Sequence, residues 1–487
     1  MSAPLAVVLA LPALGAAAAW RMRSVRVQLA LLVGIAVAHL GAVAVLWRAG
    51  AAGAAGAVLA LDALGLLVLS LVSVLFLAAS LYSVSYLLHG THDEAAARER
   101  FVPCLLAFLA AMSFVAASRN LALLWAAIEA TTLASAPLIY FYRRPGSLEA
   151  AWKYLLICSV GIALALLGTF FLGMAATTAQ GTSPGLGFDD LLAIAPSLDA
   201  RWLRAAFVLV LVGYGTKIGL APLHTWLPDA HSQAPSPVSA LLSGALLNCA
   251  LLGVLRFLAV CVAAHEAAFA QRLLLVLGLA SLLVGAAFLL GQRDYKRLLA
   301  YSSVENMGVI AVGLGVAGGA TYGALLHVVN HSLVKAALFL LAGNLLRAYG
   351  STVAADVRGA RRRLPVTGVL LAVGAFAIGG SPPFGPFVSE LAIFFGAMRG
   401  SAPWVGVAFA VLLGIAFIGI AGTLLPMLAG DGDEAAAAAV DHAPERAEPL
   451  LTLASPAALA AVVVALGIWV PPAPDGLLRR AAAALGG

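Results

Sequence analysis

Charge is scarce in this sequence. Only 10% of the 487 residues are Asp, Glu, Lys or Arg, while 63% are hydrophobic; soluble domains carry about 25% charged residues. The deficit excludes a chain that covers itself with polar surface, and lipid becomes its expected solvent. Cysteine is also sparse. Cys104, Cys158, Cys249 and Cys261 all fall in apolar stretches, with no CxxC spacing and no histidine pair beside them, which excludes the usual zinc and iron–sulfur arrangements. No glycine-rich turn between a strand and a helix offers itself to a dinucleotide. No redox cofactor or metal is therefore expected on this chain. The first apolar run starts at Ala3 with basic residues after it rather than before it, the reverse of a secretory signal, and reads as a retained helix. The net charge of +6 comes from short basic clusters between apolar runs, so it reads as a loop bias rather than a nucleic-acid surface.

What is present is a series of about 14 apolar segments of roughly 17 to 25 residues, each long enough to cross ~30 Å of hydrocarbon. Segments in lipid must satisfy their own backbone, so the expected fold is an all-α polytopic membrane protein. Two segments carry prolines in their second halves: the seventh, in APLHTWLPDAHSQAPSP, and the twelfth, in GGSPPFGP. Both are expected to be broken helices. The longest polar stretch, around Asp431 to Glu448, is an Ala-rich acidic linker. Connections after odd-numbered segments hold 17 Lys and Arg against 9 in the others and the tail. By the positive-inside rule the odd connections face the cytoplasm and both termini the opposite side.

The chemistry is expected in ionisable groups inside the apolar segments, because each costs several kcal/mol to bury and marks a functional site by default. Of 28 basic residues only four are lysines, Lys153, Lys217, Lys296 and Lys335. Two of them, Lys217 and Lys335, are placed in helix interiors, and no arginine is. Lysine can release its proton where arginine cannot, so the choice points to groups that change protonation state. Lys217 precedes the first break in GYGTKIGLAPLHTW, and Glu129 is a lone carboxylate in LLWAAIEATTLAS; an ion pair between them, direct or through one water, would load and unload a proton. His327, His331 and Lys335 recur at i, i+4 and i+8, one helical face within ~12 Å of rise. A haem on this HxxxH would need an opposing histidine, for which only His39 is placed. Glu390 follows the second break as a terminal acceptor, and Glu305 sits a turn or two inside the tenth segment as an accessory group or an interface cap.

The strings GTKIGLAPLHTWLPDAHSQAPSPVSAL, DYKRLLAYSSVENMG, ALLHVVNHSLVKAALFLLAG and FGPFVSELAIFFG resemble the proton-conducting membrane subunits of NADH-quinone oxidoreductase, sodium/proton antiporters and membrane hydrogenases. The resemblance runs from about Phe101 to Leu428, and hydrogenase-4 component F is the branch it resembles most. It implies fourteen helices with two inverted five-helix repeats, each holding one broken helix. The implied divisions are three N-terminal helices in 1–100, a first repeat in 101–263, a second in 264–428, and a linker with the last helix in 429–487. Residue by residue it implies proton transfer through Glu129, Lys217, His327, His331, Lys335 and Glu390. Asn248 stands about where chain M-like members carry a bridging lysine, so the middle of the relay would use water or the histidines. Only 17 residues follow Val470, too few for the long lateral helix of chain L-type members.

These readings imply a proton-translocating subunit in the cytoplasmic membrane, driven by redox chemistry in other membrane and peripheral subunits. The alternative is a cation/proton antiporter, or an inorganic-carbon uptake subunit, of the same fold. A scaffold that has lost conduction fits the retained buried charges poorly. Protons are the expected ion, with Na+ as the alternative.

Overall fold

In the computed structural model the described residues are 2–49, 58–88, 95–180, 185–400, 402–429 and 448–487. Their regular structure is helical throughout, with three isolated β-bridges and no strand. The helices are α1 (Ala3–Arg21), α2 (Val25–Ala49), α3 (Ala63–Leu88), α4 (Ala95–Ala117), α5 (Leu121–Ile139), α6 (Pro145–Gln180), α7 (Phe188–Ile194), α8 (Ala200–Ile218), α9 (Trp226–Gln233) and α10 (Ser236–Leu241). They continue with α11 (Leu247–Ala263), α12 (Ala267–Leu289), α13 (Tyr295–Val316), α14 (Gly319–Tyr349), α15 (Ala360–Arg363), α16 (Pro365–Ile378), α17 (Gly385–Arg399), α18 (Pro403–Ala429), α19 (Leu450–Ile468) and α20 (Pro472–Ala483). The acidic linker lies, up to residue 447, outside the described residues.

Among the described residues, twelve helices are long and apolar enough to span a membrane, two fewer than the fourteen apolar segments. The difference lies in the two segments expected to break. The seventh divides into α8 and α9, and α8 ends on Gly219 in the left-handed region (φ 83°), just before a cis Ala221–Pro222 bond. The twelfth divides into α16 and α17 around Gly380 (φ 68°) and a cis Pro382–Pro383 bond. Glycine meets a left-handed φ without the Cβ clash of other residues, and proline removes a backbone donor, so both breaks follow from local sequence. A third irregularity was not foreseen. Between α10 and α11 the helix widens into a π turn over Leu242–Leu246, and the Asn248 amide one turn on donates to Gly244 O at 2.7 Å.

One arginine corrects the expectation that none lies inside a span. Arg256, in α11, is 0% exposed. It is tolerated because Asp62, just before α3, meets its guanidinium with both oxygens, at 2.7 and 3.3 Å. Arg119 also binds Asp62, at 2.6 Å, and reaches Asp189 with its other nitrogen. Both guanidinium groups lie over the Phe188 ring, at 4.9 and 4.7 Å. Backbone bonds from Ala60 to Ala117, Arg119 to Val58 and Phe188 to Arg119 stitch the same three connections together.

Two helix starts repeat one device. Asn120 caps α5, accepting from Ala122 and Leu123, and bridges to Gly187; Asp294 caps α13, accepting from Arg297, and bridges to Val353. Such caps contribute about 1 kcal/mol each. The same cap-and-bridge arrangement thus occurs at both helix starts. At the C-terminal end the sequence reading placed no element, but α20 buries Leu477, Leu478, Ala481 and Ala482, and Asp475 accepts from the Tyr322 hydroxyl of α14 at 2.7 Å.

Candidate proton pathway

Polar groups buried among membrane helices need partners from one another, and in this chain they form a row between the two breaks. Lys217 lies at the end of α8, 0% exposed. Its Nζ donates to Ile128 O of α5 at 3.1 Å and to the Thr132 hydroxyl, and it lies 5.8 Å from the centre of the Tyr154 ring. The Thr132 hydroxyl donates onward to Glu129 Oε2 at 3.3 Å, and Ser159 of α6 donates to Glu129 Oε1 at 2.9 Å. Lys217 and Glu129 therefore make no direct ion pair. The half-buried Glu129 carboxylate turns toward α6, the ammonium meets α5 at the preceding carbonyl, and Thr132 connects them.

Lys335, in the middle of α14 and 0% exposed, repeats the first site. Its Nζ donates to Leu299 O of α13 at 2.6 Å and to the Ser302 hydroxyl. Lys217 and Lys335 are thus each capped by one carbonyl and one hydroxyl from a neighbouring helix. Between them, Asn248 of α11 donates to Ser332 Oγ of α14 at 2.7 Å, beside His331. The His331 ring is fully buried beside the Ser243 backbone, and among the described residues neither nitrogen has a side-chain hydrogen-bond partner.

Beyond Lys335 the row continues to the second break. Glu305 is 2% exposed, deeper than an interface cap, and accepts from the Asn306 amide. Asn306 Oδ1 meets His327 Nε2 at 3.0 Å, and His327 Nδ1 meets Ser389 Oγ of α17 at 2.9 Å. Glu390 follows Ser389 and is 8% exposed. Its carboxylate packs against Gly380, where any Cβ would collide with it. His39 stands apart from this row, with its two ring nitrogens on Ser73 and Ser113 at 2.9 Å each.

Three groups near the row escaped the sequence reading. Lys296, counted with a connection, is buried and reaches from α13 to the carbonyls of Ser232 (3.3 Å) and Ala234 (2.7 Å) at the end of α9. His231, in the first broken segment, is buried and stacks on Phe339 of α14 at 4.9 Å. Nothing in the sequence separates Thr132 from the many helical threonines that bond their own backbone. The signal for the first two was present: both fall in strings already singled out for their resemblance.

Residues 118–416 match a family described as NADH:quinone oxidoreductase/Mrp antiporter, TM. The hydrogenase-4 component F homolog of Methylacidiphilum infernorum (isolate V4) is 42% identical over 298 residues, covering 61% of this chain and 62% of that protein. NADH-quinone oxidoreductase subunit N of Desulforudis audaxviator (strain MP104C) is 34% identical over 345 residues, 70% of this chain and 66% of that one. The chain thus spans about two thirds or less of the length of these relatives. In fold it matches a chain of the membrane-bound sulfane sulfur reductase, an archaeal respiratory membrane complex, with a TM-score of 0.86 at 20% identity, covering 99% of this chain and 97% of the other. A family match over more than half of the sequence, on a fold carrying both broken helices, places this protein in the NADH:quinone oxidoreductase/Mrp antiporter transmembrane family.

Proposed function

We propose that this chain moves protons across the cytoplasmic membrane as one subunit of a multi-subunit oxidoreductase complex of the hydrogenase-4 or NADH-quinone type. The observation that carries the reading is the capping of Lys217 and Lys335 by neutral acceptors. A carbonyl and a hydroxyl serve an ammonium and an amine alike, whereas a carboxylate in contact would hold the charge in place. The residues are assigned as follows. Residues 101–263 supply a first half-path, with Glu129 and Lys217 as proton-exchanging groups. Asn248, Ser332 and His331 make the crossing, and buried polar atoms without protein partners there favour bridging water. Residues 264–428 supply the second half-path through Lys335, Glu305 and His327 to Glu390. Electron transfer takes place in other subunits, and both termini lie on the non-cytoplasmic side.

The test is to purify the complex that contains this chain, reconstitute it in vesicles and follow a pH-sensitive dye during electron transfer. Proton movement that is lost with Lys335→Ala while electron transfer persists supports the reading. Electron transfer without proton movement in the unmodified complex contradicts it. Movement driven by a Na+ gradient with no electron transfer replaces it with the antiporter reading.

A further inference from the structure

Two buried lysines with matching caps invite comparison of what each capping hydroxyl does with its own proton. At the second site the Ser302 hydroxyl accepts from Lys335 and donates to Leu299 O at 3.1 Å. Its proton is committed to the backbone of its own helix. At the first site the Thr132 hydroxyl accepts from Lys217 and donates to a carboxylate oxygen, Glu129 Oε2, at 3.3 Å. Its proton points at a group able to take it. The same side chain is therefore acceptor from one proton-exchanging group and donor to the next. Its neighbours are largely engaged elsewhere. Thr131 and Ser135 donate to carbonyls of their own helix, the Tyr154 hydroxyl lies 2.7 Å from Ser135 Oγ and also meets Thr132, and Ser159 occupies the other Glu129 oxygen.

We propose that Thr132 is the proton relay between Lys217 and Glu129, a role that rests on the proton-translocating reading of the chain. In the transfer an N–H bond of the Lys217 ammonium breaks as an O–H bond forms on Thr132. The original Thr132 O–H bond breaks as a new one forms on Glu129 Oε2. The ammonium becomes an amine, the carboxylate becomes a carboxylic acid, and the hydroxyl ends with one proton as it began. Rotation about the Cβ–O bond resets it. The reverse transfer runs through the same atoms, so the hydroxyl loads and unloads Lys217 without the two charged groups touching. Ser302 has no such role, because the proton it would pass on faces a backbone carbonyl.

The test compares Thr132→Val, which keeps the shape and removes the hydroxyl, with Thr132→Ser, which keeps the hydroxyl and removes the methyl. Both are made in the intact complex, reconstituted in vesicles, with assembly checked by subunit content and electron-transfer rate. Proton uptake about tenfold or more below wild type in Thr132→Val, with near-wild-type uptake in Thr132→Ser and in a Thr169→Val control, which removes a buried α6 hydroxyl bonded only to Ala165 O of its own helix, is the result expected. Wild-type uptake in Thr132→Val overturns the relay. So does equal loss in well-assembled Thr132→Val and Thr132→Ser, which would make the side chain a packing element. Should Thr132→Val fail to assemble, Thr132→Ala decides by the same criteria. A wild-type complex that moves no protons at all would instead remove the functional reading beneath the relay.

Discussion

Asn248 and Ser332 are joined by a 2.7 Å hydrogen bond between α11 and α14, directly tying the half of the chain that holds Lys217 to the half that holds Lys335. The Asn248 amide also takes the Gly244 carbonyl of the π turn, so one side chain fixes the irregular helix and makes the crossing. Asn248→Leu keeps the volume and removes both bonds, leaving Gly244 O short of a partner at a cost of about 1 to 3 kcal/mol. Proton uptake in vesicles should fall severalfold in the assembled variant while Lys217 and Lys335 keep their caps. Wild-type uptake would show that the crossing does not pass through Asn248.

Gly380 carries a left-handed φ of 68° and faces the Glu390 carboxylate. Gly380→Ala meets both problems at once, backbone strain of about 1 kcal/mol and a collision with the carboxylate. Thermal unfolding in detergent should show a destabilised subunit, and proton transfer should be reduced as Glu390 is displaced. A variant as stable and active as the parent would mean that the break re-forms without Gly380.

The buried charge cluster and an exposed pair offer a contrast in magnitude. Arg256→Ala removes a fully buried guanidinium from Asp62, and breaking a buried pair costs about 3 to 5 kcal/mol. Arg204 pairs with Glu266 from a half-exposed position, where such pairs contribute about 0.2 to 1 kcal/mol. Subunit yield and melting temperature should therefore drop sharply for Arg256→Ala and little for Arg204→Ala. Equal effects would contradict the assignment of the cluster as the fastening of three connections.

Hydrogen bonds from Arg479 and from the Tyr322 hydroxyl hold the Asp475 carboxyl below the usual carboxylate range. A carboxyl lowered in the folded state contributes stability above its unfolded pKa, and that contribution is lost as pH falls through the folded one. The docking of α20 on α14 should thus be full at neutral pH and weaken in acid. Protection factors of residues 472–483, obtained from hydrogen exchange relative to the intrinsic exchange rate at each pH, check this, and Asp475→Asn should remove their dependence on pH. Protection independent of pH in the unmodified chain would contradict it.

The sequence was most legible where lipid leaves few choices. Apolar length identified the spans, and the proline strings around Pro222 and Pro382 identified both breaks, because either feature acts on the local backbone. Lys217, Lys335, Glu305 and Glu390 stood out since a charge in an apolar run has few cheap explanations. What stayed hidden depends on partners far away in sequence. Arg256 lies seven residues from the end of α11, and the carboxylate that makes its burial tolerable is Asp62, 194 residues away. Thr132 is one of many helical hydroxyls, and only the approach of Lys217 from 85 residues on distinguishes it. The π turn beside Asn248 has no signature of its own in LLSGALLNCALL, because a single glycine such as Gly244 is tolerated in regular helices as well.

The central claim is that Lys217 and Lys335 act by exchanging protons rather than by carrying fixed charge, and replacing each with arginine tests it most directly. Arginine keeps the positive charge but does not release its proton. Lys217→Arg and Lys335→Arg are expected to assemble with normal subunit content and yet strongly reduce proton uptake into vesicles during electron transfer. Well-assembled arginine variants that pump at the wild-type rate would contradict the account, leaving both lysines as structural counter-charges and the proton path elsewhere.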